Sequence, residues 1–544
     1  MSDPAVRVIC GQVVTAVGPS GWDTVEAVAI RGGRVVAAGY RDAVTEAAGV
    51  GALVEDFGTA AVVPGLHDFH LHLVGMARLR REVRLDDVAD GSELVARLRT
   101  AAAGPLAGGW LRGRGWHERV LGSLAPEELA GAAGSLPALV YSHDAHSAWA
   151  SPPALAEAGI VAATPDPPGG RIERDERGEP TGVLRERATD LVERVAGRLE
   201  GAELDAALDE VVPELLALGL TGATDAGDPS ADNGTGGWAA LGDRASRLLA
   251  AGPRLDGRLR VTVNLPAAAI AEAAGLGLRT GRAVPGTRTI TAGWAKAYMD
   301  GALGSRTAAT FDPYTCGEAG DRGLPRLSTD ELDAILRAGR EHGVALAVHA
   351  IGDRAAALVL DALERAPRRD PATPPDRIEH LQLMRPADHG RLAALDVTAS
   401  LQPVHCASDR TLVEDCWAGR ERLAYPWRDL VAAGARLAFG SDAPIETVNP
   451  WLGMFAAVHR RFPGDGTPDW QPQQALTPPE ALAAYTRGPA LAAGRDDLGH
   501  LRPGARGDLA VLNIDLPTLQ AADERLAEVR SLLTLVEGRE VHRG

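Results

Sequence analysis

The sequence predicts an α/β chain built on an eight-stranded parallel (β/α)8 barrel of the TIM type, and three observations predict it. Short strand-like runs alternate with helical stretches eight times through the middle of the chain. Both ends are rich in strand-like runs, so the termini are expected to pair into one small β-domain. About 145 residues separate the first two candidate barrel strands, far more than one helix needs, which marks an insertion.

The elements follow in order. Val6–Val17, Ala27–Gly39 with a Gly32-Gly33 turn, and Leu53–Val63 read as short strands. Eight candidate barrel strands come next: Val62–Leu73, Gly219–Asp225, Arg260–Leu265, Gly293–Met299, Val344–His349, Arg377–Leu381, Val397–Gln402 and Arg436–Ser441. Within the insertion, Gly91–Ala103 and Ala125–Ala133 read as helices, and Ala138–Ser142, Gly170–Glu173 and Gly182–Leu184 as strands. Gly507–Asp515 and Leu532–Val541 are strand-like again. Residues 1–62 and 500–544 are thus the two halves of the terminal domain, and 63–499 the barrel, with an inserted α+β subdomain at 84–200.

Composition limits what the chain can do. Hydrophobic residues at 45% and charged residues at 24% match a globular protein able to bury a large core. A net charge of −17 argues against nucleic acid or an anionic membrane as partner, since both require a basic footprint. The N-terminus has no basic segment leading into an apolar one, and no apolar run is long enough for a membrane span, so a cytoplasmic location is expected. The four cysteines lack CxxC spacing and are expected to be reduced.

Of the 56 Lys and Arg residues, Lys296 is the only lysine, and it lies in the apolar run Trp294-Ala295-Lys296-Ala297-Tyr298-Met299. A buried amine can lose its proton and react with carbon dioxide or a carbonyl, which a guanidinium cannot do. Other metal-ligating types fall at successive strand ends: His70 and His72 on the first, His349 on the fifth, His380 on the sixth and Asp442 on the eighth. The period of two along a strand sends both imidazoles of His70-Leu71-His72 to one side, where they can chelate a divalent ion. His349 and His380 can hold a second ion, with a carbamate on Lys296 as the anionic bridge and Asp442 as ligand and general base.

These residues lie in Pro64-Gly65-Leu66-His67-Asp68-Phe69-His70-Leu71-His72, Lys296-Ala-Tyr-Met-Asp-Gly-Ala-Leu-Gly-Ser-Arg-Thr307, His349-Ala-Ile-Gly-Asp353, Ile378-Glu-His-Leu-Gln382, Gln402-Pro-Val-His405 and Gly440-Ser-Asp-Ala-Pro444. With them the chain resembles the amidohydrolase superfamily, in its YtcJ-like branch that includes the N-substituted formamide deformylases. The resemblance implies a (β/α)8 barrel, a small β-sandwich from both termini and an inserted domain over the barrel mouth. It also implies one or two zinc ions on His70, His72, His349, His380 and Asp442, bridged by carbamylated Lys296, and hydrolysis of a non-peptide C–N bond. The chain departs from the branch at Ala145, where Gly is usual, at His117 in place of an acidic residue, and at Arg506 in place of Lys.

The expected function is metal-dependent hydrolysis of a small-molecule amide, with a homo-oligomer left open. Substrate contacts are expected from Asp300, Arg306, His146, Gln382 and His405. His143, Asp144 and His146 have the stability of the insertion as an equal alternative. His342, His389, His459, His500 and His542 are read as surface residues. Two other readings stand beside the hydrolase: a barrel lyase using Lys296 as a Schiff-base nucleophile, and a non-catalytic binding or regulatory protein that kept the barrel.

Overall fold

The computed structural model describes residues 6–18, 21–104, 106, 108–121, 124, 126–142, 147–167, 170–186, 188–197, 199, 201–227 and 244–544. Contacts divide the chain into two compact units, residues 1–73 with 212–544, and residues 74–211.

The larger unit holds eight parallel strands: β1 Leu66–Leu71, β2 Leu220–Asp225, β3 Arg260–Pro266, β4 Ile290–Tyr298, β5 Leu346–Ala350, β6 Arg377–His380, β7 Thr398–Leu401 and β8 Arg436–Phe439. They pair in sequence order from β1 to β8. Every residue of β2, β6 and β7 is buried, as a parallel sheet covered on both faces requires. The last seam is closed just beyond the strands: His72 N donates to Ala443 O at 2.7 Å, and Asp442 N donates to His70 O at 2.7 Å. The strand predictions therefore hold in number and order.

That seam leaves no room for a side chain at Gly440. A Cβ there would stand 2.3 Å from the backbone nitrogen of His70. Gly440→Ala is expected to cost about 1–3 kcal/mol of stability, because two strand backbones would have to separate. Thermal melting of the variant checks this.

The strands of both termini join in one seven-stranded sheet. From the N-terminus come Arg7–Gly18, Gly21–Arg31, Arg34–Gly39 and Leu53–Pro64, and from the C-terminus Leu509–Asp515, Ser531–Val536 and Arg539–Arg543. Leu509–Asp515 pairs antiparallel with Leu53–Pro64, which brings the two ends of the chain side by side. The run Leu532–Val541, expected as one strand, is a hairpin instead, because Glu537 (φ 50°) and Gly538 (φ 69°) reverse the chain. A helix at Arg41–Ala48, absent from the sequence reading, buries Val44 and Ala48 against one face.

Residues 74–211 form their own core around a six-stranded sheet, in the order Gly170–Arg174, Pro180–Glu186, Ser147–Ala150, Ala138–Ser142, Leu111–Trp116, Val83–Arg84. Leu94 and Leu98 of helix Gly91–Ala102 pack there with Trp116 and Trp149. Arg112, buried in this unit, pairs with Glu193 at 2.7 Å.

Two expectations are corrected. Cys316 and Cys416 form a disulfide, while Cys10 and Cys406 are free and buried. The 100-residue separation hid the pairing, which is made by tertiary approach of the loop after β4 to the helix Arg410–Cys416. His389 is buried at 6% exposure on helix Pro386–Ala394 and is not a surface residue. Among the described residues no helix is long and apolar enough to cross a membrane.

Candidate metal centre

At the C-terminal ends of the barrel strands lies a cavity of about 510 Å³. Its lining includes His70, His72, Lys296, His349, His380, Asp442, Gln382, His405 and Asp300. Side chains from β1, β4, β5 and β6 and from the segments after β7 and β8 therefore meet in one place.

Asp442 is the hub. Its Oδ1 lies 3.1 Å from His72 Nε2 and 3.3 Å from His70 Nε2, and its Oδ2 lies 3.1 Å from His405 Nε2. Burial opposes charge on this carboxyl, but His70, His405 and His72 outweigh it and hold the group well below the usual carboxylate range. His70, His380 and Asp442 each offer a ligand atom within 4.8 Å of the others, close enough for one ion. Burial, then Lys296, pushes His349 down to about 3, and burial and His349 push His380 well below its usual value. Both are neutral imidazoles, the form that ligates metal.

The backbone makes this convergence possible. Neighbouring residues of a regular strand point to opposite faces, yet Glu379 and His380 both reach His70. Glu379 Oε2 lies 2.6 Å from His70 Nδ1, and the His70 and His380 rings are 5.0 Å apart. His380 (φ 74°) and Leu381 (φ 46°) are left-handed, which breaks the alternation where β6 ends. Asp442 is left-handed as well (φ 61°). Such residues cost about 1–3 kcal/mol each and cluster at functional sites.

Glu379 was not singled out in the sequence. It is fully buried, and it takes His70 Nδ1 on one oxygen while Arg377 Nε stands 2.7 Å from the other. The Arg377 guanidinium lies over Phe69 at 4.3 Å and Trp294 at 4.5 Å. Burial opposes charge on His70, but the Glu379 carboxylate on Nδ1 and Asp442 outweigh it and raise the basicity of the ring, which Glu379 orients with Nε2 3.3 Å from Asp442 Oδ1. Nothing in the spacing of Glu379 signals this, since its partner lies 309 residues away.

Lys296 is 6% exposed, with its Nζ 5.1 Å over the Tyr298 ring. Burial lowers its amine to about 8, which raises the unprotonated fraction near neutral pH. Asp300 lines the cavity, but its carboxylate is turned to the backbone, accepting from Ala309 N at 2.8 Å, Gly352 N at 2.9 Å and Ile351 N at 3.0 Å. It ties the loop after β4 to the end of β5. Gln382 lines the cavity with its buried Oε1 unbonded among the described residues. Arg306 is exposed and outside the lining, whereas Arg326, which the sequence reading passed over, lies within it. His143, Asp144 and His146 lie outside the described residues.

The donor set fits a divalent ion. The Nδ1 of His380 is buried without a hydrogen-bond partner among the described residues, beside the Asp442 carboxylate and the His70 imidazole.

The chain as a whole is similar to known proteins. The amidohydrolase family model matches residues 54–542. The chain is 31% identical over 490 residues to the YtcJ protein of Bacillus subtilis, covering 89% of each. It is 30% identical over 528 residues to the N-substituted formamide deformylase of Arthrobacter pascens, covering 94% of each. An uncharacterised metal-dependent hydrolase of Pyrococcus horikoshii superposes with a TM-score of 0.78 at 26% identity, covering 94% of this chain and 98% of that one.

Proposed function

Since the chain belongs to the amidohydrolase family, we propose that it hydrolyses the C–N bond of a small-molecule amide, formamides foremost, with Asp442 as the proton carrier. One observation carries the reading: His70, His380 and Asp442 converge within 4.8 Å inside a cavity at the C-terminal rim of the barrel. The likeness to a formamide deformylase along nearly the whole chain supports the choice of bond.

A divalent ion, zinc in this proposal, would be held by His70, His72, His349, His380 and Asp442 and would supply a Lewis acid and an acidified water. Asp442 takes a proton from the attacking water and delivers it to the amide nitrogen as the C–N bond breaks. A formamide then yields formate and an amine. His405, 3.1 Å from Asp442 Oδ2, holds that carboxylate in orientation, and Gln382 offers its amide to the substrate. Glu379 keeps the His70 ring in one orientation throughout.

Lys296 is proposed to carry a carbamate. Its unprotonated amine attacks carbon dioxide, an N–C bond forms, and the nitrogen releases one proton. The product is a two-oxygen anion on a buried arm, suited to bridge two ions. Its lowered basicity and place in the cavity support this.

Metal per protomer, measured by plasma mass spectrometry after purification with zinc and bicarbonate, tests the proposal together with formate release from N-butylformamide. The wild type is expected to hold about two zinc ions and Lys296→Ala one or none. One ion in both would remove the carbamate and keep the hydrolase. No metal and no formate would return the Schiff-base reading, which borohydride trapping would then check.

A further inference from the structure

The inference rests on the cavity being the site of amide hydrolysis, and names what that amide carries. The cavity is electrically divided. On the β4 side the Arg326 guanidinium lies 5.6 Å over the Tyr298 ring, and the one carboxylate there, Asp300, is taken up by the backbone N–H groups of Ala309, Ile351 and Gly352. On the far side, after β7 and β8, stand Asp409 and Glu446. In strand order β4 is opposite β8, so the cationic and acidic groups line facing walls.

The two walls differ in how far their charges are already used. Asp409 accepts from the Tyr425 hydroxyl at 2.6 Å, and Glu446 accepts from Ser408 Oγ at 2.5 Å with His405 Nδ1 3.6 Å away. Arg326 is exposed, lines the cavity, and makes no ion pair or side-chain hydrogen bond among the described residues. Its backbone is anchored, because Arg326 N donates to Met299 O at 2.7 Å and so places the residue beside the end of β4. The charge of Arg326 acts on Asp300, but that carboxylate is engaged by three backbone N–H groups. A positioned guanidinium that makes no ion pair among the described residues thus opens on the cavity as a two-pronged donor that matches a carboxylate.

We propose that the cavity takes amides bearing an anionic substituent, and that Arg326 binds that anion. The substituent faces the β4 wall, while the amide nitrogen lies beside Asp442, which protonates it as the C–N bond breaks.

Two matched pairs of amides test this in the zinc-loaded protein. In the first pair, 4-formamidobutanoate against N-butylformamide, the anion is on the amine side. In the second, N-butylsuccinamate against N-butylpentanamide, it is on the acyl side. The wild type is expected to prefer the anionic member of one pair in kcat/KM. Arg326→Met is expected to lower that preference about 10–100-fold, and Arg326→Lys to restore part of it. An unchanged preference in Arg326→Met, or none in the wild type for either pair, overturns the inference while leaving the hydrolase reading intact. Should the wild type hydrolyse no member, that reading falls, and calorimetric titration of 4-formamidobutanoate still decides the role of Arg326. Weaker binding by Arg326→Met than by wild type supports it, and equal or undetectable binding in both overturns it. Because the Arg326 side chain is exposed, melting temperatures of both variants should match the wild type and exclude misfolding.

Discussion

Asp442→Asn is expected to lower kcat by about 10²–10⁴ while leaving the fold intact, since general acid–base transfer by one positioned group contributes that much. The amide keeps the shape of the carboxylate and can still meet His405 and His72, which lie 3.1 Å from its two oxygens. It cannot take up a proton from water. Three imidazoles, His70, His405 and His72, converge on this one carboxylate and stabilise its anion. Steady-state kinetics with N-butylformamide, alongside thermal melting and metal content, separates proton transfer from loss of metal or structure. Turnover near the wild-type rate would remove Asp442 from the role.

Glu379→Ala is expected to destabilise the chain by about 3–5 kcal/mol, the cost of leaving a buried charge without its partner. Arg377 is 0% exposed and packed against both Phe69 and Trp294, so its guanidinium cannot turn to water. Without Glu379 it keeps Phe69 O at 3.1 Å as an acceptor but no counter-charge. Glu379→Gln preserves volume and removes the charge. It is expected to melt closer to the wild type and to weaken zinc binding about 10–100-fold, because the histidine behind the ion loses its carboxylate. Thermal melting of both variants and zinc competition with a chelator check the two effects. Glu379→Ala melting like the wild type would show that the aromatic stack alone holds Arg377.

The eight barrel strands were legible in the sequence because each is a short apolar run between helical stretches, a local pattern that does not depend on the rest of the chain. Their C-terminal ends, and with them His70, His72, Lys296, His349, His380 and Asp442, could be read off the same runs. Spacing also gave the common side of His70 and His72, whose rings stand 5.7 Å apart.

Other features depend on contacts between segments distant in the chain. Glu379 pairs with a histidine 309 residues earlier, and Cys316 with a cysteine 100 residues later, so neither has a local signature. Arg306 and Arg326 belong to one loop, and only its folded path decides which reaches the cavity. The left-handed backbone at His380, where β6 ends, and at Asp442, beside the closing seam, is likewise set by the folded barrel, against the preference of the residues themselves. The sequence by itself determined which residue types stand at the strand ends, because strand period and hydrophobic burial act over a few neighbours. Tertiary structure alone decided which of them meet and which charges are left without partners, because both depend on backbone reversals and pairings made only when the barrel closes.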